Sequence, residues 1–383
     1  MIEQYVINWL VPILWVCIAS YAVFTIILFL LWKNIPAGSK TNVGNTTFIS
    51  VIIPVRDEEE NILNLLQDLN RQTFPTHQFE VLIMNDGSTD RTDEIARTFA
   101  QHSACMVHMI RLPDAPTTSP KKRAIETAMG LAKGNLIVTT DGDCRVKPGW
   151  LQSIAAFHQK TQAKLISGPV TFNKETSLTD HLQTVEFSSL IGSGASAIAA
   201  GFPSMCNGAN LTYEKSAFFE VDGYDGVRHI ASGDDEFLMH KIAAKYPRQV
   251  KFLKDPEAIV STQAHKEWSL FFKQRKRWAS KWKHYQSKTP LILAIYIFSC
   301  NLALLIALGL WMSGYLNSIG FLALLLLKCT PECLFLGTIL HFLQKPVSTF
   351  FIPVTQIFYP FYVCFFGLVA QKPEYEWKGR KLV

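Results

Sequence analysis

The sequence predicts an α/β domain with a mostly parallel sheet, flanked by apolar helices long enough to cross a membrane. Three observations predict it. Between residues 48 and 262, apolar runs alternate with segments of helical spacing. One apolar block near the start and three after residue 290 are each long enough to span a hydrocarbon core. Acids and small polar residues cluster where the apolar runs end. Of 383 residues only 18% are charged and 49% are apolar. The mean hydropathy is +0.15. These values exclude a wholly soluble, a disordered and a fibrous chain. The net charge of +6 favours anionic lipid or an anionic substrate.

The first element is the apolar block 9–32, which spans about 30 Å of hydrocarbon as a helix. No Lys or Arg precedes it, which argues against a cleaved leader. Lys33 and Lys40 follow it, placing the next domain in the cytoplasm by the positive-inside rule. The later blocks are 291–312, 319–343 and 347–370. The middle one holds Lys328, Pro331 and Glu332. Four residues apart on a helix, the two charged groups face one side and pair. The alternative is a broken or re-entrant helix with both groups near an interface. Lys378, Arg380 and Lys381 predict a cytoplasmic C-terminus, so one of the three blocks is expected to be re-entrant or interfacial.

In the α/β region, FISVIIPV, FEVLIMND and NLIVTTDGD read as strands. Segments 58–70, 88–99 and 121–132 read as helices, the first with an apolar stripe at Ile62, Leu65, Leu66 and Leu69. Ligands of parallel sheets gather beyond the carboxyl ends of the strands. There the sequence puts Pro54, Arg56, Asp57, Glu58 and Glu59, then Asn85 to Asp90, in which Ser88 or Thr89 is a candidate helix cap. Either group alone also reads as a solvated turn. Asp141 and Asp143 flank Gly142, so their carboxylates share a face and the backbone can approach a ligand. Two acids at a strand end suit a hard divalent cation that also touches phosphate. Asp234, Asp235 and Glu236 are adjacent acids, suited to a general base or to a plain helix N-terminus.

Residues 268–288 hold seven Lys and Arg, no acid, and Trp268, Phe271, Phe272, Trp278 and Trp282. Next to an apolar block this pattern predicts a helix in the lipid headgroup region rather than a nucleic-acid site, and no nucleic-acid partner is expected. The small-residue stretch 178–201 reads as a packed helix or the lining of an acceptor groove. The 8 cysteines include no CxxC pair and read as buried free thiols.

The ordered set VIIPVRDEEEN, MNDGSTDRT, SPKKRAI, TTDGDC, GDDEFL and QRKRW, from Val51 to Trp278, resembles membrane-bound family 2 glycosyltransferases with the GT-A fold. The resemblance implies transfer from a nucleotide-sugar donor, most often UDP-linked, with inversion at the anomeric carbon. It implies that Pro54 and Glu58 shape the nucleotide pocket, that Asp86 contacts the base, and that Lys121 lies near the nucleotide. Asp141 would face the ribose or sugar, and Asp143 would hold Mg2+ or Mn2+. Asp235 matches the acidic base. Gln274, Arg277 and Trp278 match the QxxRW signature, which closes on the diphosphate and stacks the acceptor. Pro120 stands where the family often has Gly, Asp57 where Asn is commoner, and Asp234 where Glu is usual.

The expected organisation is therefore an N-terminal transmembrane helix and linker over 1–47 and a cytoplasmic catalytic domain over 48–262. A basic aromatic interfacial helix with QxxRW follows over 263–290, then a transmembrane region over 291–370 and a basic tail over 371–383. The expected partners are a nucleotide sugar, a lipid or glycan acceptor and membrane lipids, at the cell membrane. The layout is similar to poly-N-acetylglucosamine synthases, and the tail to ceramide glucosyltransferase-like enzymes. A catalytically inactive membrane scaffold is the competing reading, opposed by the intact acids Asp141, Asp143 and Asp235. A soluble nucleotidyltransferase is opposed by the spans and QRKRW.

Overall fold

Long runs of Val, Ile and Leu bounded by polar turns form the strands, and segments with apolar residues three and four apart form the helices that cover them. The computed structural model describes residues 2–38, 47–114, 117–279, 289–369, 375–377 and 380–382. Lys40, Trp282, Lys281, Lys283 and Lys378 lie outside the described residues, as does the 280–288 part of the basic segment.

The chain begins with helix α1 (Ile2–Asn34). The α/β region then runs β1 (Ile49–Val55), α2 (Ile62–Asn70), β2 (Phe79–Asn85), α3 (Thr92–His102), β3 (Met106–Arg111) and α4 (Pro120–Leu131). It continues with β4 (Leu136–Thr139), α5 (Trp150–Thr161), β5 (Leu165–Ser167) and β6 (Val170–Phe172). Helix α6 (Leu178–Ala199) precedes β7 (Leu211–Glu214), α7 (Lys215–Glu220), α8 (Asp234–Lys245), β8 (Val250–Phe252) and β9 (Val260–Thr262). Helices α9 (Trp268–Ala279), α10 (Thr289–Met312), α11 (Ser318–Phe342) and α12 (Ile352–Val369) follow, with a hairpin of Tyr375–Trp377 and Arg380–Leu382 last.

Two units divide this chain. One comprises residues 35–175, 197–264 and 374–383, and the other residues 1–34, 176–196 and 265–373. In the α/β unit, the strands form a seven-stranded sheet ordered β3-β2-β1-β4-β7-β5-β8. The pairs β3·β2, β2·β1, β1·β4 and β5·β8 are parallel, whereas β7 runs antiparallel to both neighbours. Every residue of β1 and β2 is buried, as expected of strands covered on both faces. The register sets Val55 against Asn85 and Ile52 against Thr139, so the ends of β1, β2 and β4 deliver their polar turns to one edge. A small parallel pair, β6 with β9, aligns Phe172 with Thr262.

Helix α2 buries Ile62, Leu65, Leu66 and Leu69, the stripe read from the sequence. Its start and that of α3 fall four residues later than the spacing predicts, because both preceding segments are spent on loop contacts. Ser88 and Thr89 do not cap α3. The Ser88 hydroxyl accepts from the Asp57 amide at 3.1 Å, and the Thr89 amide donates to the Asp57 carboxylate at 2.7 Å. Asp90, just before the N-cap residue Arg91, accepts from the Thr92 amide at 3.0 Å.

In the helical unit, Leu14 and Ile18 of α1 pack with Ala303, Leu304, Ala307 and Leu324. Val185 of α6 packs with Leu336, Leu340 and Ile352. A Cβ on Gly192 of α6 would come within 2.0 Å of the Ile339 side chain, so this face of α6 is closely packed. Four helical stretches are long and apolar enough to cross a membrane: Trp9–Asn34, Thr289–Met312, Ser318–Phe342 and Val347–Val369. Their outward faces expose Val16, Ile292, Ile319, Phe350 and Leu368. Helix α11 is continuous through Pro331, which corrects the broken-helix alternative. Lys328 Nζ lies 2.7 Å from Glu332 Oε2 and 3.1 Å from Gln356 Oε1, and Tyr21 donates to Glu332 Oε1 at 2.5 Å. With both charges paired inside the bundle, the helix has no need to break and carry them to an interface.

Candidate active site

The site is built where β1, β2 and β4 end. After Thr139, the chain turns through Asp141, Gly142 and Asp143, closed by a bond from the Cys144 amide to the Asp141 carbonyl at 3.1 Å. A Cβ on Gly142 would lie 3.0 Å from both Glu58 Cγ and Val55 Cγ1. A side chain there would make these neighbours give by a few tenths of an ångström, and the glycine lets the turn sit close to Glu58 at the end of β1. Glu58 is buried and accepts from the Asn61 side chain at 2.9 Å.

Lys121 stands at the centre of the acids. Its Nζ is 2.7 Å from Asp141 Oδ1 and 3.3 Å from Asp234 Oδ2. Asp235 Oδ2 accepts from the Gly208 amide at 3.0 Å. A Cβ on Gly208 would meet Asp234 Oδ2 at 3.0 Å and Lys121 Nζ at 3.1 Å, so the Asn207–Gly208 turn forms one wall of the cluster. Burial opposes the charge on Lys121, but the Asp141 and Asp234 carboxylates more than offset it and raise its pKa. Burial pushes the Asp234 carboxyl up, while the Lys121 ammonium pulls it back. Of the acids at the start of α8, Asp234 therefore does more than face a helix dipole: it reaches the lysine of α4.

Asp143 Oδ2 accepts from the Thr262 hydroxyl at 2.9 Å, which orients the carboxylate. Ligand atoms of Asp141, Asp143 and Cys144 all lie within 4.8 Å of one another. Burial, with the Asp143 and Asp141 charges behind it, pushes the Cys144 thiol up, and a soft sulfur is the poorer donor for a hard cation. The remaining donors are hard carboxylate oxygens, a set that fits Mg2+ or Mn2+ completed by phosphate and water.

The β1 and β2 turns are stitched together. The Glu58 amide donates to Thr92 Oγ1 at 2.8 Å, and the Glu59 amide to Asp90 Oδ2 at 2.9 Å. Asp57 sits at φ 50, the left-handed region that Asn and Asp tolerate best among residues with a side chain. Pro54 is buried in β1 opposite Met84 and beyond the last residue paired to β4, where a missing amide donor is accommodated. Asp86 is buried and its carboxylate pairs with Arg123. Arg56 donates to the Asp86 carbonyl at 2.6 Å.

The sequence-predicted residues thus divide. Lys121 and Asp235 meet at Gly208, Asp141 pairs with Lys121, Glu58 and Asp143 lie at the Gly142 turn, and Asp86 pairs with Arg123. Gln274, Arg277 and Trp278 lie on α9, in the helical unit. There Arg275 is the buried member, 3.1 Å from Glu186 Oε1, which also accepts from Tyr362 at 2.8 Å. The Arg275 guanidinium stacks 4.4 Å from the Trp278 ring centroid and also donates to Gln274. Sequence reasoning missed Gly208, Thr262, Arg123 and the Arg275–Glu186 pair. An Asn-Gly turn and a strand-end Thr were the visible signals for the first two.

Comparison with known proteins bears on the family and the fold. A family model described as Glycosyl transferase family 2 matches residues 50–219, and one described as Glycosyl transferase family group 2 matches residues 136–368. Glycosyltransferase AglE of Haloferax volcanii is 34% identical over 125 residues, 33% of this chain and 40% of its own. Poly-beta-1,6-N-acetyl-D-glucosamine synthase of Staphylococcus epidermidis is 25% identical over 239 residues, 60% of this chain and 53% of its own. The matched segments therefore span about half of these relatives or less. Among solved structures, mannosyltransferase PcManGT from Pyrobaculum calidifontis, in complex with GDP-Man and Mn2+, superposes with a TM-score of 0.58 at 17% identity. That alignment covers 92% of this chain and 99% of the other.

Proposed function

The chain belongs to glycosyl transferase family group 2, and on that premise we propose that it is an integral-membrane, inverting transferase moving a sugar from a UDP-linked donor to a lipid or glycan acceptor. The α/β unit has the GT-A fold. The observation that carries the reading is the convergence of Lys121, Asp141 and Asp234 at the strand ends, with Asp143 and Asp235 beside them.

In this reading Pro54, Glu58 and Asp86 line the nucleotide pocket, and Lys121 offers its ammonium to the donor's phosphates. Asp143 would hold Mg2+ or Mn2+, and Asp141 beside it would face the ribose or sugar. The cation would supply positive charge against the leaving diphosphate. Asp235, fixed by the Gly208 amide, takes the proton from the acceptor hydroxyl as it attacks the face of the sugar opposite the leaving group. One displacement inverts the anomeric carbon, and no covalent sugar–enzyme bond forms. For Gln274, Arg277 and Trp278, the proposed roles are those of the QxxRW signature. The exposed apolar faces of four long helices support the membrane assignment, and Lys33 at the end of α1 supports a cytoplasmic catalytic domain.

The test is to incubate the full-length protein in lipid vesicles with a panel of nucleotide sugars and with lipid and glycan acceptors, and to identify products by mass spectrometry. A glycosylated lipid or glycan of inverted configuration is expected. Retained configuration, or transfer to none of the acceptors, would contradict the proposal.

A further inference from the structure

The first turn of α4 carries two consecutive lysines with different duties. Lys121 reaches Asp141 and Asp234. Lys122, about 100° further round the helix, turns away from them and is 2% exposed. Its ammonium donates to three backbone carbonyls: Val227 at 2.9 Å, Ile230 at 2.7 Å and Ser232 at 3.1 Å. Ser119, at the N-cap of the same helix, donates to the Ile230 carbonyl at 2.6 Å. The rings of Phe237 and Tyr224 lie 5.0 and 6.0 Å from Lys122 Nζ.

An ammonium has three N–H donors and is costly to bury unless they are satisfied. Here three carbonyls of one segment, residues 227–232, are within hydrogen-bond reach. That segment is turn and bend, without a strand or helix to hold it. It ends at Gly233, whose φ of 81 swings the chain into α8. The next residues are Asp234 and Asp235. An apolar side chain would fill the space beside Phe237 and Tyr224 at lower cost if packing were the only demand. The charge is spent on the loop that carries the acids.

We propose that Lys122 is a positioning residue for Asp235, holding loop 227–232 from behind so that Gly233 delivers Asp235 to the Gly208 amide and Asp234 to Lys121. The inference rests on the assignment of Asp235 as the base. Consecutive lysines thus grip the acid turn from both sides, one through a carboxylate and one through the backbone.

The test uses full-length protein in detergent. Hydrogen exchange of amides 227–233 is compared between wild type, Lys122→Met and Ser119→Ala. Turnover is read with the donor identified in the nucleotide-sugar panel, and donor-side affinity with UDP and Mn2+. Lys122→Met is expected to speed exchange in 227–233, lower kcat about 10-fold to 100-fold, as a misplaced catalytic group does, and leave UDP affinity unchanged. Ser119→Ala is expected to act in the same direction and more weakly. Unchanged exchange in 227–233, unchanged kcat, or a loss confined to UDP affinity would overturn the inference. Should Lys122→Met fail to fold, Ser119→Ala decides: faster loop exchange with lower kcat supports the role, and wild-type values refute it. Asp235→Asn run alongside separates the two levels. Wild-type turnover in that variant removes the base itself, whereas its loss beside a fully active Lys122→Met removes only the positioning role.

Discussion

Charges in the two units are balanced differently. In the helical unit, buried ions are matched with partners: Lys328 with Glu332, and Arg275 with Glu186. Hydroxyl or amide groups of Tyr21, Gln356 and Tyr362 occupy remaining valences. In the α/β unit, Asp141 and Asp234 share the ammonium of Lys121, while Asp143 and Asp235 accept from the Thr262 hydroxyl and the Gly208 amide. A balanced pair serves packing, because removing either partner strands a buried charge. Carboxylates that converge on one ammonium at the ends of strands are placed to receive a cation and a proton. The first pattern suits a scaffold, and the second is what the proposed transfer requires.

The comparison breaks most visibly if acids of the site can be removed without loss. Asp143→Ala is expected to abolish turnover in the transfer assay while the protein stays folded by circular dichroism. Activity at the wild-type level would place Asp143 with the scaffold. The converse holds in the helical unit. Glu332→Leu strands Lys328 and is expected to cost about 3–5 kcal/mol of stability, read by thermal unfolding in detergent. Replacing both Lys328 and Glu332 by leucine should restore most of it. A double variant as unstable as the single one would show that the pair is more than packing.

Asp235→Asn keeps shape and removes the proton acceptor. It should cut kcat roughly 10²-fold with UDP affinity near wild type. A matching loss of UDP affinity would move Asp235 to the nucleotide side. On α9, Arg277→Lys and Trp278→Ala should each remove most activity without altering membrane insertion, since a lysine cannot reproduce a guanidinium fork. Lys281→Ala and Lys283→Ala should be nearly silent. Equal small effects at all four positions would leave the basic segment as an anchor alone.

Much of this was legible in the sequence because it depends on local pattern. The stripe of α2, the buried runs of β1, β2 and β4, and the four long apolar stretches follow from periodicity and length. The Asp141–Gly142–Asp143 turn announced itself by spacing after an apolar run. What escaped depends on contacts distant in sequence. Gly208 meets Asp235 across 27 positions, Thr262 meets Asp143 across 119, and Lys122 meets Ile230 across 108. No spacing rule reaches that far. The late starts of α2 and α3 have the same origin, since Asp57 and Ser88 are drawn into a contact across 31 positions that local propensity does not see. Lys122 shows the limit most sharply. Beside Lys121 in a basic run it reads as one more surface charge, yet it is buried.

In the proposed function, the acid cluster at the strand ends binds a nucleoside diphosphate through a divalent cation held by Asp143. Calorimetric titration of UDP into the full-length protein, with Mn2+ and then with EDTA, tests it most directly. Saturable binding in Mn2+ is predicted, lost on chelation and lost in Asp143→Ala. UDP binding of equal affinity with and without the metal, or unchanged in Asp143→Ala, would contradict it.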